Sequence, residues 1–104
     1  MEQTTKTYES AADLPWALVK PGQIIQRDIL ERFELSQQAL ADRLKVSRKT
    51  VNELAGGKRG ITADMALRLS SLTGQPPEYW LRLQMQFDLW HAKKGFSAHE
   101  IEAI

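Results

Sequence analysis

The chain has 104 residues, 42% hydrophobic and 26% charged, with 14 basic and 13 acidic side chains and a formal charge of +1. That length suits one domain with one core, and the mixture excludes collagen-like, low-complexity and largely disordered chains. Cysteine is absent, which excludes disulfide stapling, thiolate metal sites and cysteine nucleophiles and makes a reducing cytoplasm the expected compartment. The opening Met1-Glu2-Gln3-Thr4-Thr5-Lys6 lacks the basic-then-apolar order of an export signal. No apolar run approaches the ~20 residues that cross a bilayer, so neither secretion nor a membrane partner is expected.

Residues 1–20 are polar and Thr-rich, with Tyr8, Leu14, Trp16 and Leu18 among them, and read as a flexible arm. Pro21 and Gly22 open a first helix in which Ile24, Ile25, Ile29, Leu30 and Phe33 recur at three-and-four spacing, predicting helix to about Phe33. Ser36 stands where its hydroxyl would accept from the free amides of a second helix, Gln37 to Leu44. After the turn Lys45-Val46-Ser47, Ser47 caps a third helix from Arg48 to about Ala55, and Gly56-Gly57 stops it. Thr62 caps a fourth, Ala63 to Thr73, which ends at Gly74. Pro76-Pro77-Glu78 begins a fifth that extends to about Lys94, before Gly95. No segment alternates with strand period. The expected fold is all-α: an arm over 1–20, a five-helix domain over 21–94 and a tail over 95–104.

Helices two and three, short, capped and joined by three residues, have the form of a helix-turn-helix. Ala41 must be small where the helices cross, and Val51 and Leu54, three apart, turn helix three inward. Glycine is usual where this chain has Lys45, so either Lys45 accepts a positive φ or the turn takes another geometry. With Val51 and Leu54 inward, Lys49, Asn52 and Glu53 face outward and Arg48 lies at one edge. Arg43, Lys45, Arg48, Lys49, Lys58 and Arg59 stand against the single acid Glu53 in this stretch. Such a cluster alone is as well read as a solvated surface; on the outward face of a bihelical unit it favours a polyanion.

The side-chain chemistry assigns roles on double-stranded DNA. Gln37, in the first turn of helix two, would hold a phosphate beside free backbone amides. Arg48 and Lys49 can donate to guanine O6 and N7, and Asn52 can pair with adenine N6 and N7. Ser47, at the helix start, belongs to the same face. Thr50 would reach a phosphate or a thymine methyl, Glu53 would accept from cytosine N4 or repel phosphates, and Lys58 and Arg59 would grip the backbone beyond the helix.

Leu35-Ser36-Gln37-Gln38-Ala39-Leu40-Ala41 and Val46-Ser47-Arg48-Lys49-Thr50-Val51-Asn52-Glu53-Leu54 resemble the Xre-type (lambda-repressor-like) helix-turn-helix family. Pro21-Gly22-Gln23-Ile24-Ile25, Gly57-Lys58-Arg59-Gly60-Ile61-Thr62 and Pro77-Glu78-Tyr79-Trp80-Leu81-Arg82-Leu83-Gln84 with Asp88-Leu89-Trp90 resemble its HigA antitoxin subfamily, over residues 21 to about 92. The resemblance implies operator binding as a dimer, autoregulation of an operon, and pairing with a HigB toxin that cleaves mRNA on the ribosome.

A helical wheel over 78–94 separates Trp80, Leu83, Phe87 and Trp90 from a second stripe of Leu81, Met85, Leu89 and Ala92. One core cannot bury both, so the second is expected to meet another copy in a homodimer; the alternative is that Trp16 and Leu18 fold back over it. A twofold dimer would also set two recognition helices on successive turns of DNA. No enzyme is expected: His91 and His99 have no adjacent ligand set, and no triad order or phosphate loop is present. No cofactor or metal is called for. Two other readings compete: a solitary regulator without a toxin, and a toxin neutraliser that no longer reads DNA.

Overall fold

Side-chain hydroxyls set three of the helix starts in the computed structural model, which describes residues 19–104. Ser36 Oγ accepts from the Ala39 amide at 3.0 Å and opens α2 (Gln37–Leu44). Ser47 Oγ accepts from Thr50 at 3.1 Å and opens α3 (Arg48–Ala55). Thr62 Oγ1 accepts from Met65 at 3.2 Å and opens α4 (Ala63–Thr73). Each bond satisfies one amide that the helix cannot. α5 (Pro77–Lys93) starts instead on a proline, whose missing N–H costs nothing in a first turn. α4 ends at Gly74 with φ +84°, and beyond α3 it is Gly57, at φ +77°, that takes the left-handed conformation while Gly56 stays right-handed.

The first helix departs from expectation. It opens as α1 (Pro21–Ile24) and continues as a π-helical segment, Ile25–Glu31. Arg32 N–H bonds Arg27 and Leu35 N–H bonds Leu30, both across five residues, and Glu34 then takes φ +53°. Ile24, Ile25, Ile29 and Leu30 are buried as the spacing predicts, but Phe33 is 62% exposed. The wider winding carries Phe33 past the direction that α-helical periodicity assigns to it.

α2 packs on α3 and α4 on α5, while α1 touches both α3 and α5. The core between them holds Ile25, Leu40, Val51, Leu54, Leu69 and Trp80, with Ala41 and Ala66 fully buried where helices cross. The fold is all-α, with helices α1–α5 of the described residues around one core. Burying each of these Leu or Ile side chains is worth ~1.5–3 kcal/mol, far more than the short helices' own propensity. On α5, Trp80 is buried and Leu83, Phe87 and Trp90 are half-buried, whereas Leu81, Met85 and Leu89 are exposed. The arm residues Leu14, Trp16 and Leu18, including the fold-back of Trp16 and Leu18, lie outside the described residues. No helix among the described residues is long and apolar enough to cross a membrane.

Candidate nucleic-acid interface

The turn between α2 and α3 is tight because Lys45 adopts φ +61° and donates its amide to the Ala41 carbonyl. A left-handed lysine costs about 1–3 kcal/mol and persists only where its surroundings over-determine it. Here α4 supplies the restraint. Arg68 Nη1 donates to the carbonyls of Leu44 at 2.9 Å and Lys45 at 3.3 Å, and its Nε is held by Asp64 Oδ2 at 2.7 Å. The guanidinium thus satisfies carbonyls that the end of α2 leaves open, at the negative end of that helix. Removing this clamp should loosen the turn: Arg68→Ala is expected to cost ~1.5–3 kcal/mol, since hydrogen bonds to a charged group are lost. Denaturant melts would show it, and amide exchange at Val46 and Ser47 should quicken.

Beyond the turn, α3 turns Val51 and Leu54 into the core and leaves Arg48, Lys49 and Asn52 exposed, with Thr50 and Glu53 half-buried. Asn52 Nδ2 donates to Gln37 Oε1 at 3.1 Å. That bond joins the first turn of α2 to the middle of α3. It fixes the plane of the Asn52 amide, leaving Oδ1 and the second N–H as an acceptor and donor side by side, the pair that an adenine edge requires. The Gln37 amide makes this bond through its oxygen, so both of its N–H groups stay unused by it. Ser47 and Thr50 are joined through their hydroxyls at 2.9 Å, so the pair presents one shared polar spot at the start of α3.

Glu53 and Arg59, two residues given separate roles by their chemistry, are partners. Arg59 Nε and Nη2 both donate to Glu53 Oε1, at 3.0 and 2.7 Å. The Arg59 hydrogen bond, aided by the charges of Arg59, Lys49 and Lys58, holds the Glu53 carboxyl below its ordinary pKa, against a smaller opposing effect of desolvation. A depressed carboxylate contributes its stabilisation above its unfolded pKa and loses it as acid protonates the folded group. The pairing has two consequences. It neutralises the one acid on the face, and it ties Arg59 in the loop back to α3. Arg43, Lys45, Arg48, Lys49 and Lys58 form no ion pair among the described residues.

That loop has a second brace. Gln84 on α5 accepts from the Ile61 amide at 2.8 Å through Oε1, and its Nε2 donates to Asp88 at 2.9 Å. Gly60 lies against Gln84, where a Cβ would stand 3.2 Å from the side-chain amide. Gln84 and Arg68 both act on backbone 23 or 24 residues away, and no local pattern marks either. Gly22 also meets backbone far along the chain. A Cβ there would collide with the Leu54 carbonyl oxygen and lie 2.9 Å from that of Ala55, so only glycine lets α1 abut the last turn of α3.

The exposed basic row, the locked Gln37–Asn52 pair and the tight turn are the geometry of a helix-turn-helix. The profile of the helix-turn-helix family, HTH_3, matches residues 26–80, more than half of the chain. Virulence-associated protein I of Dichelobacter nodosus is 41% identical over 76 residues, covering 73% of this chain and 70% of that protein. Antitoxin HigA-1 of Vibrio cholerae is 33% identical over 78 residues, covering 75% and 73%. Among solved structures, the Pseudomonas aeruginosa antitoxin HigA with the higBA promoter superposes with a TM-score of 0.74 at 38% identity, over 83% of this chain and 97% of that one. The chain belongs to the HigA family of Xre-type helix-turn-helix proteins.

Proposed function

We propose that this HigA-family chain is an antitoxin that binds its own operator as a homodimer, represses its operon and neutralises a HigB-like mRNA-cleaving toxin. The Gln37–Asn52 bond is the observation that carries the DNA reading, because it orients a base-reading amide at no cost when DNA arrives. Arg48, Lys49 and Asn52 read bases in the major groove; Gln37, Ser47, Thr50 and Lys58 hold phosphates; Arg59 acts through Glu53. The Pseudomonas aeruginosa relative solved with promoter DNA supports operator binding by this fold.

The experiment has two arms. Purified protein should shift its upstream DNA at least ~1,000-fold more tightly than scrambled DNA, and its co-expression should rescue growth in cells making the toxin encoded beside it. Equal affinity for both DNAs would remove the repressor; growth arrest despite the chain would leave a solitary regulator.

The homodimer is assigned to Leu81, Met85 and Leu89, exposed at four-residue steps on α5, with Met85 49% accessible in the single chain. Twofold pairing of this stripe would bury it and place two copies of α3 on one face of DNA. Leu81→Glu with Leu89→Glu sets unpaired carboxylates in that contact, which is strongly unfavourable. The variant should sediment as a folded monomer with weakened operator binding; a persistent dimer would move the interface elsewhere.

A further inference from the structure

At the start of α5 lies an open cleft of about 500 Å³. Ile29, Leu35 and Leu72 give it an apolar floor, and the exposed Arg32, Phe33 and Arg43 stand around it. Asp28, the one acid in its lining, is already paired with Arg27 at 3.3 Å. At the other end of α5 the tail carries the opposite character. Phe96 and Ile101 are 63% and 66% exposed, and Ile101 stands between the carboxylates of Glu100 and Glu102. An apolar and basic cleft, and an apolar and acidic segment, are thus left uncovered by the described residues of the same chain.

The spacing on α5 says how they meet. Leu81 and Leu89 are equidistant from Met85, so an antiparallel pair with Met85 on the twofold sets Leu81 against the partner's Leu89. The same register brings Lys93, the last residue of α5, over the partner's Pro77, the first. The tail then leaves toward the partner's Gln75, Thr73 and Leu72, all of which line the cleft. In the single chain Ala98–Glu100 form a 3-10 turn; unwound and extended, ten residues span up to ~33 Å, enough to cross the end of α5.

We propose that residues 95–104 of each chain seat in the cleft of a second copy, with Ile101 on its apolar floor and Glu100 and Glu102 against Arg32 and Arg43. The inference rests on the α5 dimer proposed above. Two tails would then clasp the dimer from both ends, excluding water from Phe33 and giving the exposed ends of the tails a partner.

Because the chain contains no cysteine, single introduced cysteines test this in the full-length protein. Met85→Cys should link to itself across the twofold under mild oxidation. A mixture of Ile101→Cys with Phe33→Cys chains should give a mixed disulfide dimer at least about tenfold in excess of a mixture of Ile101→Cys with Lys58→Cys, since sulfurs on Cα atoms more than ~7 Å apart do not bridge. All four positions are exposed, so folding is not at stake. A Met85 link without the mixed link overturns the tail and leaves the dimer standing. Absence of both links overturns the two together. A chain carrying both Phe33→Cys and Ile101→Cys that closes on itself as a monomer also overturns the exchange.

Discussion

Replacing Arg48, Lys49 and Asn52 together by alanine is expected to leave the fold intact and abolish the preference for operator DNA. All three side chains are exposed, so little core packing is lost and thermal melts should stay within ~1–2 °C of the parent. Each well-made contact to a base edge is worth ~1–3 kcal/mol of discrimination. Losing three per protomer should lower operator affinity by at least ~1,000-fold and bring it near the non-specific level. The salt dependence should flatten too, because two cations that can displace counterions are gone. Asn52→Ala alone should relax the choice at one base position by ~1–3 kcal/mol. Titrations of operator and scrambled duplexes at fixed salt would check both, and a triple variant that kept its preference would place recognition outside α3.

The largest expected loss of stability comes from one methyl group. Gly22→Ala sets a Cβ into the Leu54 carbonyl and within 2.9 Å of the Ala55 carbonyl, and neither can turn aside because both belong to the last turn of α3. Overpacking a core costs ~1–3 kcal/mol where side chains can yield; against backbone the cost should reach the top of that range or exceed it. At ~4–8 °C per kcal/mol for a domain of this size, the melting temperature should fall by more than about 12 °C. Any folded population should bind operator more weakly, because α1 and α3 must separate at the end that orients the reading face. A melting temperature within a few degrees of the parent would show that α1 can slide without disturbing α3.

Features that act within a few residues were legible in the sequence. A hydroxyl three residues before the amide it accepts from announces a helix start, and Ser36, Ser47 and Thr62 do so in turn. Lys45 in place of glycine left open a positive φ or another turn geometry, and the chain takes the first, at φ +61°. The two apolar stripes of α5 were equally readable, since helical spacing alone separates Trp80 from Leu81, Met85 and Leu89. What escaped depends on where separate helices meet. Periodicity counts at one winding, so it could not foresee the π-helical segment that turns Phe33 outward. Chemistry residue by residue gave Arg59 to phosphate and Glu53 to a cytosine N4 or to repelling phosphates, and nothing local says that the two share a salt bridge across six positions. Gln84 and Arg68 look like ordinary surface residues until the fold sets them beside the backbone they hold.

Gln84 also makes one rigid strut of two regions with different duties. Its side chain bonds the backbone at Ile61, just beyond Lys58 and Arg59, while its helix carries the stripe assigned to self-association. Were α5 to rotate on pairing, it would pull on Ile61 and re-aim the basic loop, and the two equilibria would then be mechanically coupled. Such coupling is reciprocal by thermodynamic necessity. Whatever factor pairing adds to operator affinity, operator must add to pairing, and a partner that twists α5 the other way would release DNA without touching α3.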